Sequence, residues 1–393
     1  MNKPKIRFKG FEGEWKRQSL GDTSASFSGG TPAVSVSDYY GGNIPFIRSG
    51  EIHENRTQLY ITQAGLNNSS AKIVEKGTIL YALYGATSGD VGFSKLRGAI
   101  NQAILAIEPA KKYIDRIFLV GFLQSYKHRI INELLQGGQG NLSGSLVKKI
   151  LLAFPSLPEQ RALASYFTSL DAQIAASTSR LSSLKQIKAA SLLNMFPQKG
   201  ETVPRVRFNG FQGEWKERKL GEIAIVNPKC DLPKSFEYVD LESVVGTEMK
   251  SHRREFRESA PSRAQRLARK GDIFYQTVRP YQKNNYLFNL DYSDYVFSSG
   301  YAQIQALKDE RFLFTVVQSD YFLKQVMDNC TGTSFPSINP TLLRNLIVYD
   351  CSIDEQRAIG QYFTTLDAQI TLHRERLEKL KQIKAACLEK MFA

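Results

Sequence analysis

The sequence predicts an α+β chain built from two similar mixed domains, each followed by a long helix. Three observations lead there. An opening motif occurs twice, a helical motif occurs twice, and the segments between them share only faint echoes. Self-similarity of this kind sets the architecture before any local pattern is read.

The opening Arg7-Phe8-x-Gly10-Phe11-x-Gly13-Glu14-Trp15-Lys16 returns as Arg207-Phe208-x-Gly210-Phe211-x-Gly213-Glu214-Trp215-Lys216. Both copies run on to Leu-Gly, at Leu20-Gly21 and Leu220-Gly221. The second repeat, Glu159-Gln160-Arg161-Ala162 with Tyr166-Phe167 and Leu170-Asp171-Ala172-Gln173-Ile174, returns as Glu355-Gln356-Arg357-Ala358 with Tyr362-Phe363 and Leu366-Asp367-Ala368-Gln369-Ile370. Both copies close on Met-Phe, at Met195-Phe196 and Met391-Phe392. The chain therefore divides into a first domain, 1–158, with a joint at 1–21, and a helix, 159–197. A second domain, 198–354, has its joint at 205–221, and a second helix occupies 355–393.

The intervening segments, 22–158 and 222–354, read as mixed strand and helix. Gly77–Tyr84, Ala99–Ile107, Asp272–Val278 and Tyr301–Leu307 are rich in β-branched and aromatic residues, which favour a half-buried pleated surface. Ile117–Leu135 and Arg311–Asp328 read as helices, and Lys149–Phe154 and Asn345–Tyr349 as short strands before the long helices. Gly137–Asn141 and Thr331–Ser334 read as loops, and Gly85-Ala86-Thr87-Ser88-Gly89 as a turn.

Each Glu-Gln-Arg segment carries apolar residues at steps of three and four: Leu163, Phe167, Leu170, Ile174, Leu181 and Leu184, then Ile359, Phe363, Leu366, Ile370, Leu377 and Leu380. That is the seam of a coiled coil. Neither Pro nor Gly interrupts Arg161–Met195, and only Gly360 falls within the second copy. Each seam needs a partner, and the other copy is the obvious one. Ser177 and His373 interrupt the seams at matching places, as polar register markers or at a wet edge.

The charge balance is +14, with 52 Lys and Arg against 38 Asp and Glu. An excess of this size points to a polyanionic partner such as nucleic acid. The second intervening segment is nearly neutral but contains a basic stretch, Arg253–Lys270, which reads as a phosphate-facing strip or as a solvated face with local ion pairs. No secretory signal opens the chain, and its longest apolar run, Ile117–Leu123, is too short to span a bilayer. The four cysteines are widely spaced and form no CxxC pair, so a zinc site is not expected and the thiols fit a reducing cytoplasm. No phosphate-binding loop, HExxH or GxSxG is present. Asn227-Pro228-Lys229-Cys230 only partly matches the Asn-Pro-Pro-aromatic motif of amino-methyltransferases and reads as a turn.

The paired helical motifs, with two divergent domains before them, resemble the specificity subunits of type I restriction-modification enzymes. The similarity runs over essentially the whole chain. It implies two target-recognition domains related by a pseudo-twofold axis, with the long helices packed antiparallel. Each domain would read one half of a split duplex-DNA site, and the helices would fix the gap. Two modification subunits would methylate adenine N6, and two restriction subunits could join them. The chain itself would be non-catalytic, with S-adenosylmethionine, ATP and Mg²⁺ on the partner subunits.

Base edges are read by polar and guanidinium side chains in the major groove. In the first domain the DNA-binding candidates are Arg48, Ser49, Tyr84, Thr87, Ser88, Asn101, Gln102, Gln139, Asn141 and Ser143. In the second they are Arg253, Arg254, Arg279, Tyr281, Gln282, Lys283, Asn284, Ser334, Ser337 and Asn339. For each, an ordinary capping or loop role is the competing explanation. Glu159, Gln160, Arg161, Asp171, Glu355, Gln356, Arg357 and Asp367 are the candidates for modification-subunit contact, with helix capping and internal pairing as the alternative. Trp15 and Trp215 read as packing in a shared joint. The competing functions are a stand-alone repressor or architectural protein with duplicated DNA-binding domains, an enzyme (a fused nuclease or an independent methyltransferase), and a coiled-coil scaffold.

Overall fold

The computed structural model describes residues 3–134, 142–292 and 294–392. The chain forms two compact units. One comprises Met1–Thr178 with Glu375–Ala393, the other Ser179–Arg374. Each unit thus holds one end of each long helix.

In the first unit, Ser24–Ser28, Ile104–Pro109, Ile79–Ala82 and Val91–Phe93 form an antiparallel sheet in that order. A second sheet runs Tyr60–Ile61, Tyr40–Ile47, Gly98–Ile100, Lys72–Val74, and its one parallel pairing joins Tyr40–Ile47 to Gly98–Ile100. The other unit repeats this plan. Ala224–Val226, Tyr301–Ala306, Ile273–Gln276 and Tyr286–Leu287 form the antiparallel sheet. Arg253–Phe256, Ser235–Val239, Tyr295–Ser298 and Ala264–Leu267 form the mixed one, again with a single parallel pairing, Ser235–Val239 to Tyr295–Ser298. Two segments with little sequence in common therefore share one topology. Burial pattern and turn placement specify it, and many side-chain sets satisfy them.

The repeated joints close each unit. Lys16–Ser19 pairs with Leu151–Phe154, and Lys216–Lys219 pairs with Ile347–Asp350. Trp15 and Trp215, each 2% exposed, sit in the cores. Phe392 packs 5.4 Å from Phe118 and 5.5 Å from Phe167, while Phe196 lies 5.9 Å from Trp215 and 6.1 Å from Phe363. The twice-used Met-Phe ending is thus a plug for the core beneath each joint.

The long helices span Leu157–Asn194 and Ile353–Met391. At 1.5 Å per residue each is roughly 57 Å long. Their ends run antiparallel within each unit. In the first, Lys384 Nζ reaches Asp171 at 2.6 Å and Tyr166 meets Cys387 at 3.3 Å. In the second, Lys188 Nζ reaches Asp367 at 2.5 Å and Tyr362 meets Ser191 at 2.9 Å. Most seam positions are buried, Ile174, Ile370 and Leu380 less fully, and Ser177 is buried among them while His373 is half-buried.

Two sequence expectations need correction. Ala99–Ile107 is not one strand, because Asn101 Oδ1 accepts from Ala103 N at 3.1 Å and turns the chain between Gly98–Ile100 and Ile104–Pro109. Arg311–Asp328 is two helices, Glu310–Gln318 and Asp320–Asp328. Ser319 adopts an extended backbone and its Oγ accepts from Phe322 N at 3.2 Å, so it ends one helix and caps the next. No helix is long and apolar enough to cross a membrane among the described residues.

Candidate nucleic-acid interface

In the second unit the strand Ile273–Gln276 leads into a loop tied down from two sides. Thr277 N donates to Gly300 O at 2.9 Å, and Ile338 N donates to Thr277 O at 3.1 Å. Arg279 N donates to Pro336 O at 2.8 Å, and Val278 bridges to Ser337. The Arg279–Asn284 and Thr331–Asn339 loops, far apart in sequence, therefore lie side by side.

Arg279 and Lys283 both adopt left-handed backbone, with φ of 55° and 52°, around the short turn Pro280–Gln282. Non-glycine residues held there mark a backbone that its surroundings over-determine. Three candidates build this loop. Gln282 Oε1 accepts from Gln276 Nε2 at 2.8 Å, Lys283 Nζ pairs with Asp320 at 2.6 Å, and Asn284 Oδ1 accepts from Gly246 N at 2.8 Å. Two others stay at least partly open to solvent. Tyr281 is 50% exposed, and the Arg279 guanidinium lies 4.4 Å above the ring of Phe335, itself 58% exposed. No carboxylate pairs with Arg279 among the described residues. An arginine stacked on an aromatic keeps its outer N–H edge free for a base or phosphate.

The first unit repeats the frame. Leu83 N donates to Ala103 O at 2.8 Å, and Leu142 N donates to Leu83 O at 2.9 Å. Leu142 and Ile338 are buried at matching places. The next residues, Ser143 and Asn339, both cap short helices, Gly144–Lys148 and Pro340–Asn345, by accepting from Leu146 N and Leu342 N. Their side-chain oxygens are thus engaged at home, and Ser337 serves the bridge.

The first unit's other candidates lie round this frame. Ser88 is buried and donates to Leu83 O and Gly85 O, while Thr87 donates weakly to Tyr84 O at 3.5 Å. Tyr84 packs partly on the core. Asn101 holds its own turn, and exposed Gln102 accepts from Thr31 Oγ1 at 2.7 Å. Arg48 grips Glu51 through Nη2 at 2.9 Å and Nε at 3.2 Å, and Ser49 opens the short turn between them. Burial alone would raise the Glu51 pKa. Bonds from Arg48, the backbone N–H groups of Gln58 and Arg48, and Thr57 outweigh it and bring it down to about 2. Gln139 and Asn141 lie outside the described residues. Ser334 is exposed.

Arg253 and Arg254 are committed to acids. Arg253 pairs with Asp240 and Glu255, and Arg254 with Glu237 and Asp294.

Four of the partner-contact residues need relocation. Glu159, Gln160, Glu355 and Gln356 are at most 2% exposed, so they face inward rather than toward another subunit. Arg7 forks onto Glu159 and Arg207 onto Glu355, while Gln160 accepts from Asp115 N and Gln356 donates to Asp350. Arg161 and Arg357 are exposed, and Asp171 and Asp367 pair with lysines of the other long helix. Phe335 is the residue that sequence reasoning missed. Its signal was a lone aromatic in a polar Thr-Gly-Thr-Ser loop.

Duplicated units, each offering loops of different chemistry on one repeated frame, define a modular recognition protein. Among the described residues no three acidic, histidine or cysteine side chains gather as a metal site. The family model described as the type I restriction modification DNA specificity domain matches residues 12–186 and again 212–382, and the chain belongs to that family. It is 21% identical over 408 residues to the type I restriction enzyme MjaVIII specificity subunit of Methanocaldococcus jannaschii, covering 94% of this chain and 90% of that one. The HindI specificity subunit of Haemophilus influenzae is 28% identical over 151 residues, 36% of this chain and 32% of its own. The fold matches the crystal structure of the M. genitalium S subunit with a TM-score of 0.67 at 17% identity, covering 100% and 99% of the two chains. This chain is a type I specificity subunit with two recognition domains.

Proposed function

We propose that each unit reads one half of a bipartite duplex site through its framed loops, and that the long helices set the gap and carry the modification subunits. One observation supports this above the others. The hydrogen-bonded frame is the same at Leu83, Ala103 and Leu142 as at Thr277, Gly300 and Ile338, while the side chains it presents differ. A common frame with different readers suits two different half-sites. The chain supplies recognition and no chemistry. Adenine-N6 methylation with S-adenosylmethionine, and any ATP- and Mg²⁺-dependent cleavage by restriction subunits, belong to its partners. A cytoplasmic location follows from that role.

The second unit offers Arg279, Tyr281, Ser334 and Phe335 as readers. The first offers Gln102, with Arg48, Ser49, Tyr84 and Thr87 shaping the adjoining surface. Arg161 and Arg357 are the exposed helix residues assigned to the modification subunits.

Co-expression with the modification subunit of the same host in a methylation-free bacterium tests this, with modified adenines mapped by single-molecule sequencing. A split motif with a fixed gap, lost when this chain is omitted, is expected. A soluble complex that leaves the genome unmodified would favour the stand-alone repressor.

A further inference from the structure

The basic stretch Arg253–Lys270 divides into two kinds of cation. Arg253, Arg254 and Lys270 are neutralised by carboxylates. Arg257, Arg263, Arg266 and Arg269 form no ion pair among the described residues. Arg266 is the most unusual. Its Nε is buried without a hydrogen-bond partner. Burial lowers the guanidinium pKa, and the Cys230 thiol is the titratable group acting against that. A half-desolvated cation with no counter-charge favours any anion that can reach it.

An anion can reach it. Arg266 and Gln265 line an open groove of about 540 Å³ whose opposite wall is the turn Asn227–Asp231, with Lys229 exposed on it. The same segment meets Arg257 further on, where Arg257 Nη1 donates to Leu232 O at 3.2 Å and its backbone N donates to Lys234 O at 2.9 Å. Lys229, Lys234, Arg257 and Arg266 thus flank one stretch of chain, opposed there by exposed Asp231 alone among the groove-lining residues. Backbone bonds tie this region to the reading loops. Arg263 O accepts from Ser299 N at 2.6 Å, next to the Gly300 carbonyl that holds Thr277, and Asn227 N donates to Gln303 O at 2.7 Å.

We propose that the Lys229–Arg266 groove of the second unit grips the phosphodiester backbone of the DNA whose bases that unit reads. The inference rests on the recognition role argued above. It moves the phosphate contact from the ion-paired strand Arg253–Phe256 to the unpaired cations beside it. An open groove suits a passing strand better than a captured small anion, and backbone contacts of this kind fix register without carrying sequence information.

The test is the salt dependence of binding, since each phosphate neutralised steepens the plot of log Kd against log salt by about 0.9. The full chain, in complex with its modification subunit, is titrated onto a fluorescent mixed-sequence duplex from low to moderate KCl. R266Q and K229Q should each flatten the slope by about 0.9. R266K should keep the wild-type slope, which a purely packing role for the arginine would not predict. The double variant R253Q/R254Q should leave the slope unchanged. Wild-type slopes in both R266Q and K229Q, with tight binding retained, would overturn the groove but not the recognition role. Loss of slope in R253Q/R254Q instead would return the contact to the ion-paired strand. A wild-type complex with no salt-dependent binding would overturn the recognition role itself. Binding of inorganic phosphate by the wild type that R266Q abolishes, with the duplex slope of R266Q unaltered, would make the groove a small-anion site and also overturn the proposal.

Discussion

Arg7 holds Glu159 by two parallel hydrogen bonds of 2.7 Å, one from Nε and one from Nη2, across 152 residues of sequence. Arg207 holds Glu355 in the same way, also at 2.7 Å twice. Each arginine further ties its own loop by donating to the carbonyl of Gly13 or Gly213, also at 2.7 Å. The repeated Arg of the opening motif and the repeated Glu of the helical motif are thus two halves of one clamp.

Because the carboxylates are buried, removing one partner leaves an uncompensated charge or donor. E159Q and E355Q should each cost about 3 kcal/mol, and R7K should cost nearly as much because an ammonium cannot fork. Urea unfolding checks this. A loss below about 0.5 kcal/mol, the scale of an exposed pair, would contradict a buried clamp.

Gly360 is the single glycine in the second long helix, at the place taken by Ala164 in the first. A Cβ there would lie 2.6 Å from Asp309 Oδ1 and 2.9 Å from Phe312 N. Asp309 caps the Glu310–Gln318 helix through that same N–H. Helix propensity favours alanine by about 1 kcal/mol, but overpacking costs about 1–3 kcal/mol. G360A should therefore lower stability in a thermal melt, while A164G should lower it only through propensity, by about 1 kcal/mol. A stabilised G360A would show that the Asp309 turn yields.

The first unit carries its own acid sensitivity. The folded Glu51 pKa is about 2 against an ordinary value of 4.5. A depressed carboxylate pKa stabilises the fold above the ordinary value, and that contribution fades as pH falls through the folded one. Stability should drop between about pH 4.5 and 2, by up to roughly 3 kcal/mol from this group. E51Q should be less stable at neutral pH and flatter over that window. Equal acid slopes in E51Q and the wild type would remove Glu51 as the cause.

The Arg279–Phe335 pair should act on sequence reading rather than folding. Phe335 is exposed and Arg279 half-buried, and Phe335 belongs to no core cluster, so their removal opens no core. R279A should relax or change a position in one half of the methylated motif, losing about 1–3 kcal/mol of discrimination there. F335A should weaken the same half. Methylation mapping reads both, and a change in the other half would place the pair elsewhere.

The sequence made the repeats, the long helices and the division into two mixed domains legible, because motif spacing and apolar periodicity are local. It also brought into view the loops that the repeated hydrogen-bonded frame gathers. It could not show that Ser143 and Asn339 are caps, since a capping oxygen and a base-reading oxygen belong to the same residue types. Nor could it show that Glu159 and Gln160 point inward, because their partners Arg7 and Asp115 are distant in sequence. Arg253 and Arg254 looked like phosphate contacts for the same reason. The acids that neutralise them at Asp240, Glu237 and Asp294 arrive only with the sheet. Phe335 was hidden because a lone aromatic in a loop has no periodicity to betray it.

The central claim, that the two units read separate half-sites, is tested most directly by exchange. Residues 22–158 are replaced by the matching segment of a relative, and modified adenines are mapped with the native modification subunit present. One half of the motif should change while the other half stays as it was. A soluble exchange protein whose motif changes in both halves, or in neither, would contradict the account.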